Sequence, residues 1–247
     1  MELGLRGRTA IVCGASAGIG LAVAEALTEE GANVAMFARR REQLEREAER
    51  LGALAVRGDV TAAADLEQLV RRSVDTYGGI DILVNNSGGP PRTPGTGLDA
   101  EQVERAVDLL LVSVVRLTGL CLPYLEQSPA GRVVNITSSS VKEPIENLAL
   151  SNAVRPGVVG WAKTMARELG PKGITVNSIA PGRIDTERIR EVYPDGPTEA
   201  DLRTIPLRRL GTPREIGDVV AFLCSDRGAY VTGALVTVDG GLTRSLL

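Results

Sequence analysis

Short apolar runs rich in Val and Ile alternate along the chain with longer stretches whose apolar residues recur every three or four positions. TAIVCG predicts a strand, GIGLAVAEALTEEGA a helix ending at Gly31, NVAMFAR a second strand, and REQLEREAERLG a polar-faced helix stopped by Gly52. ALAVRGDV and DILVNN predict the third and fourth strands, with the helix DLEQLVRRSVDTYG between them. A long helix is expected from Glu101 to Glu126, then a fifth strand in GRVVNITS, a helix near Val154 to Leu169, and a sixth strand in GITVNSIAPG. A helix around Arg214 to Leu223 and the strand ALVTVDGG close the pattern. Strands this short, separated by helices of ten or more residues, need crossover connections, which make the sheet parallel. The strands are apolar on both sides, as a sheet covered by helices on both faces requires. The expected fold class is α/β: one domain over residues 1–247, a Rossmann-type doubly wound parallel sheet of about seven strands with helices on both faces. No internal repeat or low-complexity linker interrupts it. Residues 184–210 are polar and irregular, with Pro194, Pro197 and Pro206, and are the expected substrate lid.

Composition narrows the chemistry. The 247 residues are 43% apolar and 24% charged with a net charge of -3, so no nucleic-acid surface is expected. The most apolar stretch, AVDLLLVSVVRLTGLCLPYL, is interrupted by Arg116 and Pro123 and reads as a buried helix, with no membrane partner. No secretory signal pattern opens the sequence. The cysteines Cys13, Cys121 and Cys224 are scattered in apolar surroundings and read as buried thiols, which suits a cytoplasmic location. There is no histidine. That excludes His-based triads and HExxH sites, and with three scattered cysteines no metal site is expected.

Between the first strand and first helix lies VCGASAGIG, with Gly14, Gly18 and Gly20 spaced G-x-x-x-G-x-G. Glycines there let the backbone turn sharply and approach a pyrophosphate, and the helix behind offers free N–H groups and a positive dipole end. NNSG at 85–88, APGRIDT at 180–186 and VTVDGG at 236–241 follow in order. In these motifs and their spacing the chain resembles the short-chain dehydrogenase/reductase family, most closely its 3-oxoacyl-carrier-protein-reductase-like branch. The resemblance covers essentially the whole chain. It implies a nicotinamide-dependent oxidoreductase, a small-molecule substrate, and a homo-oligomer, dimer or tetramer, paired through the two long helices and the last strand.

At the end of the second strand, where an acidic residue would hold a ribose 2′-OH, stand Ala38, Arg39 and Arg40. A guanidinium suits a 2′-phosphate, so NADP(H) is the preferred cofactor, with NAD(H) possible. Ala17 departs from the basic residue that NADP(H)-using members often carry before the second glycine. The resemblance further implies cofactor contacts at Ser16 and Ile19 in the turn, Asp59 and Val60 at adenine, and Asn86 and Gly88 along the adenosine ribose. Pro181, Gly182, Ile184 and Thr186 would border the nicotinamide and pyrophosphate, and Arg155 the nicotinamide ribose. Asn85 reads as a brace within the sheet.

The family's Ser, Tyr, Lys and Asn set is largely replaced. Ser138 is retained, thirteen residues before Ser151; Ser151 takes the tyrosine position, Arg155 the lysine position and Leu110 the asparagine position. A tyrosine titrates near about 10 and can be tuned, whereas a serine needs a base. Arginine, with a pKa above about 12, holds charge but shuttles no proton. Because proline is tolerated only in a first turn, Pro156 predicts a helix starting near Asn152 or Ala153, with Ser151 or Asn152 as its cap and Ser151 turned to backbone. The candidate catalytic residues are Ser138, Ser151 and Arg155. Tyr193, Lys142, Glu143, Tyr124 and Lys163 are weaker substitutes. Three functions are compatible with these residues: hydride transfer to or from a small carbonyl or alcohol, a catalytically inactive NADP(H)-binding sensor or assembly partner, and a dehydration or isomerisation using Tyr193 or Asp185.

Overall fold

The computed structural model describes residues 2–246. Seven strands form one parallel sheet: β1 (Thr9–Cys13), β2 (Asn33–Ala38), β3 (Leu54–Arg57), β4 (Ile82–Asn85), β5 (Arg132–Ile136), β6 (Thr175–Pro181) and β7 (Leu235–Val238). Their spatial order is β3-β2-β1-β4-β5-β6-β7, every neighbouring pair parallel. The order reverses between β1 and β4, so the chain leaves their carboxyl ends in opposite directions and opens a crevice there.

Each strand serves two cores. Ala10 and Val12 of β1 join one cluster with Val23 and Leu27 of α1 (Gly18–Glu29) and Leu44 of α2 (Arg41–Leu51). Ile11 and Cys13 face the other, with Leu66 and Leu69 of α3 (Ala63–Tyr77). Two-residue alternation thus reads apolar throughout because both faces are covered. All three cysteines are buried free thiols, and desolvation pushes Cys13 and Cys224 up to about 12.

Two helices depart from expectation. The long helix expected over 101–126 is α4 (Ala100–Val107) and α5 (Ser113–Leu125), joined by a π turn at Asp108–Val112. Leu110, in that turn, is buried with Ala106, Leu150 and Val154. The whole run Ala100–Leu125 is long and apolar enough to cross a membrane by length and composition, and a third (33%) of its most apolar window lies inside the fold. The next helix, α6 (Ala149–Leu169), starts about a turn before the expected position and carries Pro156 in its interior. Proline there costs one backbone hydrogen bond. Pro156 is exposed, while Leu150, Val154 and Val158 anchor the same stretch in the core, and that burial holds the helix through the proline.

Asn152 accepts from the Ile145 N–H at 3.1 Å and donates to the Ile145 carbonyl at 2.9 Å, pinning the preceding loop to α6. Leu148 stands at the cap, so neither Ser151 nor Asn152 caps the helix: Ser151 lies inside the first turn, with its hydroxyl engaged by the side chains of Ser140 and Arg155. The segment 184–210 contains α7 (Glu187–Val192) and α8 (Glu199–Arg203), and α9 (Pro213–Cys224) follows.

Candidate active site

The β1–α1 turn is built for close approach. Gly14 and Gly18 have φ of +61° and +57°, in the left-handed region where a side chain is strained. A Cβ on Gly20 would lie 2.2 Å from the Gly14 carbonyl oxygen, and one on Gly14 would lie 2.6 Å from Asn86 Nδ2. Asn86 in turn donates to the Cys13 carbonyl at 3.1 Å, fixing the end of β4 against the turn. Ala17 caps α1 without a side-chain bond, so the first N–H groups of that helix have no side-chain partner at the cap. A glycine cradle and a bare helix start suit a dinucleotide pyrophosphate.

Two adjoining lobes extend from this turn and share Gly14, Asn86 and Gly88. One, about 430 Å³, runs past Ser16, Arg39, Asp59 and Val60. Arg39 is an exposed side chain, 3.7 Å from Asp59 Oδ2, so its charge faces the open end of β2. The other, about 370 Å³, holds Gly18, Ile19, Ser138, Ser151, Arg155, Pro181, Gly182, Ile184 and Thr186. Every expected site residue borders one lobe or both except Gly20, which lies beneath the turn against the Gly14 carbonyl.

The second lobe ends in a hydroxyl cluster. Ser138, just past β5, accepts from the Ser140 N–H at 3.1 Å. The hydroxyls of Ser140 and Ser151 lie 3.3 Å apart. Arg155 Nε donates to Ser151 Oγ at 3.0 Å, and its Nη1 donates to the Ile136 carbonyl at 3.3 Å. Burial pushes the Arg155 guanidinium down to about 10, and no carboxylate pairs with it among the described residues. Ser151 and Arg155, four apart on one helix, are thus one unit, with the buried cation bonded directly to the hydroxyl. Leu110 is buried among Ala106, Leu150 and Val154, so its position on the facing helix offers apolar surface.

Among the substitutes, Tyr193 faces Arg183, whose guanidinium carbon is 6.0 Å from the ring centroid, and it does not line either lobe. Lys163 donates to the Gly233 carbonyl at 2.9 Å, far along α6. Asn85 braces the sheet as expected, bonding Asn135 at 2.9 Å and Thr118 at 3.1 Å. Sequence reasoning missed Ser140, which carries no signal distinguishing it from its two serine neighbours. It also gave no role in the segment 184–210 to Arg40 or Arg188. Arg40 reaches Glu187 of α7 at 2.8 Å, and Arg188 reaches the Pro90 carbonyl at 2.9 Å, so both tie the 184–210 segment across the cleft.

A family model described as enoyl-(acyl carrier protein) reductase matches residues 14–243. The chain belongs to the short-chain dehydrogenase/reductase family. It is accordingly an oxidoreductase of the NAD(P)-dependent short-chain class. The 3-oxoacyl-[acyl-carrier-protein] reductase of Vibrio cholerae is 36% identical over 244 residues, covering 97% of this chain and 99% of that one. L-sorbose reductase from Gluconobacter frateurii, solved with NADPH and L-sorbose, superposes with a TM-score of 0.94 at 29% identity and full coverage of both chains. An NADPH-bound short-chain oxidoreductase from Pseudomonas aeruginosa described as containing an atypical catalytic center matches at TM-score 0.92 and 32% identity, covering 98% and 99% of the two chains.

Proposed function

We propose that this short-chain oxidoreductase uses NADP(H) to reduce a small carbonyl, or oxidise the corresponding alcohol, with serine hydroxyls and a fixed cation in place of the tyrosine–lysine relay. The observation that carries this reading is the continuity of the cleft from the glycine turn to the Ser138, Ser151 and Arg155 cluster. Gly14, Gly18 and Gly20 would admit the pyrophosphate, with Ser16, Ile19 and Thr186 beside it. Arg39 would pair with the 2′-phosphate, Asp59 and Val60 would flank adenine, and Asn86 and Gly88 the adenosine ribose. Pro181, Gly182 and Ile184 would border the nicotinamide, and Arg155 its ribose. NADPH in the Gluconobacter and Pseudomonas structures supports this assignment.

A bound nicotinamide supplies the hydride. The protein's share is electrostatic. Ser138 and Ser151 would donate to the carbonyl oxygen, and Arg155, bonded to Ser151, would stabilise the negative charge developing there. Water would deliver the proton, since no residue of the cluster is both acidic and tunable near neutral pH. The 184–210 segment would act as the lid, held by Arg40–Glu187 and Arg188–Pro90. The partly exposed Val103 and Val115 on α4 and α5 favour pairing of copies through those helices. The three buried thiols suit a reducing cytoplasm.

Titration of the purified protein with NADPH and, separately, NADH tests the reading, using nicotinamide emission and calorimetry. Tighter binding of NADPH is expected. No binding of either nucleotide overturns the function, and NADPH binding with no turnover of any carbonyl or alcohol across a broad panel points instead to the sensor reading.

A further inference from the structure

We propose that the substrate of this site carries a carboxylate, and that Arg155 is its anchor: the reacting group is the ketone of a 2-oxo or 3-oxo acid. The inference rests on the cofactor reading above and adds the substrate class. Four charged side chains border the lobe that holds the hydroxyl cluster: Arg40, Arg155, Arg188 and Glu187. Arg40 is paired with Glu187 at 2.8 Å, and Arg188 with Glu191 at 3.1 Å. Arg155 alone has no acid, although it is only 8% exposed. Its two bonds go to a neutral hydroxyl and a neutral carbonyl, and they leave guanidinium donors over.

A buried cation is costly unless an anion completes it. The nicotinamide ribose offers only neutral hydroxyls, and the cofactor's phosphates belong at the glycine turn and Arg39. One uncompensated positive charge calls for one negative charge on the remaining ligand, and the planar guanidinium fork matches a carboxylate. Because Arg155 bonds Ser151 directly, an anion on Arg155 would sit beside the hydroxyls that receive the reacting oxygen. That proximity sets the carboxylate one or two carbons from the ketone. In the reaction, hydride adds to the ketone carbon as the C=O π bond opens, water protonates the oxygen, and the nicotinamide is oxidised. The product is a 2- or 3-hydroxy acid.

The test compares 2-oxobutanoate and 3-oxobutanoate with 2-oxobutanamide, 3-oxobutanamide and butan-2-one as substrates for the full chain with NADPH. Each acid should exceed its own amide by roughly 100-fold in kcat/KM, the scale on which buried charge pairs discriminate. Arg155→Met should erase that ratio, and Arg155→Lys should restore part of it. Calorimetry with butanoate and butanamide, on the free protein and on its NADP⁺ mixture, reads the anion site without turnover and needs no variant. Selective butanoate binding supports the proposal even if neither nucleotide binds, in which case the cofactor reading alone falls. Acids and amides that turn over equally, or no selective butanoate binding in either form, overturn it while leaving NADPH affinity to judge the cofactor reading separately.

Discussion

The two ends of the cleft follow different rules. At the β1–α1 turn Gly14, Gly18 and Gly20 are held by close packing, Gly20 against the Gly14 carbonyl and Gly14 against the Asn86 side chain. At the start of α6 the groups that would do the chemistry are side chains, Ser151 and Arg155, carried on a helix whose first turns are anchored by Leu150 and Val154. At Gly14 and Gly20 an added Cβ would lie 2.6 Å and 2.2 Å from its nearest neighbour, so close packing blocks substitution there. Where chemistry hangs on side chains, the proposed exchange of a phenol and an ammonium for a hydroxyl and a guanidinium changes only groups beyond the helix backbone. The contrast teaches that one end of the cleft is fixed by close packing of the main chain and the other by the choice of side chains.

The sharpest way to break the contrast is at the side-chain end. Ser151→Ala should lower kcat by about 10²- to 10³-fold, the usual loss of one oxyanion donor, with NADPH affinity unchanged. Steady-state kinetics beside a nucleotide titration would check it, and unaltered kcat would remove Ser151 from the mechanism. The pH profile belongs to the same test. With no tyrosine or histidine in the cluster, kcat should be flat from about pH 6 to 9. It should then fall as pH rises through about 10, because Arg155, shifted down by burial, loses its charge there. A step near neutrality would expose a titrating group elsewhere.

Leu110→Asn, the residue expected from the family, should destabilise the fold by about 2–4 kcal/mol, since it places an amide among Ala106, Leu150 and Val154. Denaturant unfolding measures this, and no accompanying gain in kcat is expected while Ser151 remains. At the backbone end, Gly20→Ala should cost about 1–3 kcal/mol by overpacking against the Gly14 carbonyl, with NADPH affinity reduced at least tenfold. A thermal shift with and without nucleotide separates the two losses. The smallest effect is expected at Arg39→Ala, an exposed group: NADPH binding should weaken about tenfold and NADH binding should hold. Equal weakening of both would move 2′-phosphate recognition to Arg40.

Much of this was legible in the residues. Strand alternation within a doubly covered sheet leaves continuous apolar runs, and those runs located all seven strands. The glycine spacing located the turn. The misreadings share a cause: they concern residues whose environment is set by distant packing. Pro156 argues for a late helix start on local grounds, yet Leu150, Val154 and Val158 bury enough surface to carry the helix through it. Arg155 is expected at the lysine position beside the nicotinamide ribose, and only the assembled β5–α6 junction shows how deeply it is buried. Ser140 is one of three identical neighbours, and only the fold sets its hydroxyl 3.3 Å from that of Ser151. The π turn is invisible in LLLV because every residue there is apolar on any face.

That π turn has a consequence for how one rod can serve two partners. Before it, Ala106 points toward α6; after it, Leu117, Cys121 and Leu125 point toward the sheet and α3. The wider turn holds one more residue than an α turn, which resets the angular phase of everything downstream. A loop could redirect the chain equally well, but it would leave peptide groups to be solvated. Here the helix changes allegiance while its backbone stays bonded, with the Ser113 N–H returning to the Asp108 carbonyl. The π turn is a joint made without a gap, and removing one residue from it should swing α5 out of phase with the sheet it covers.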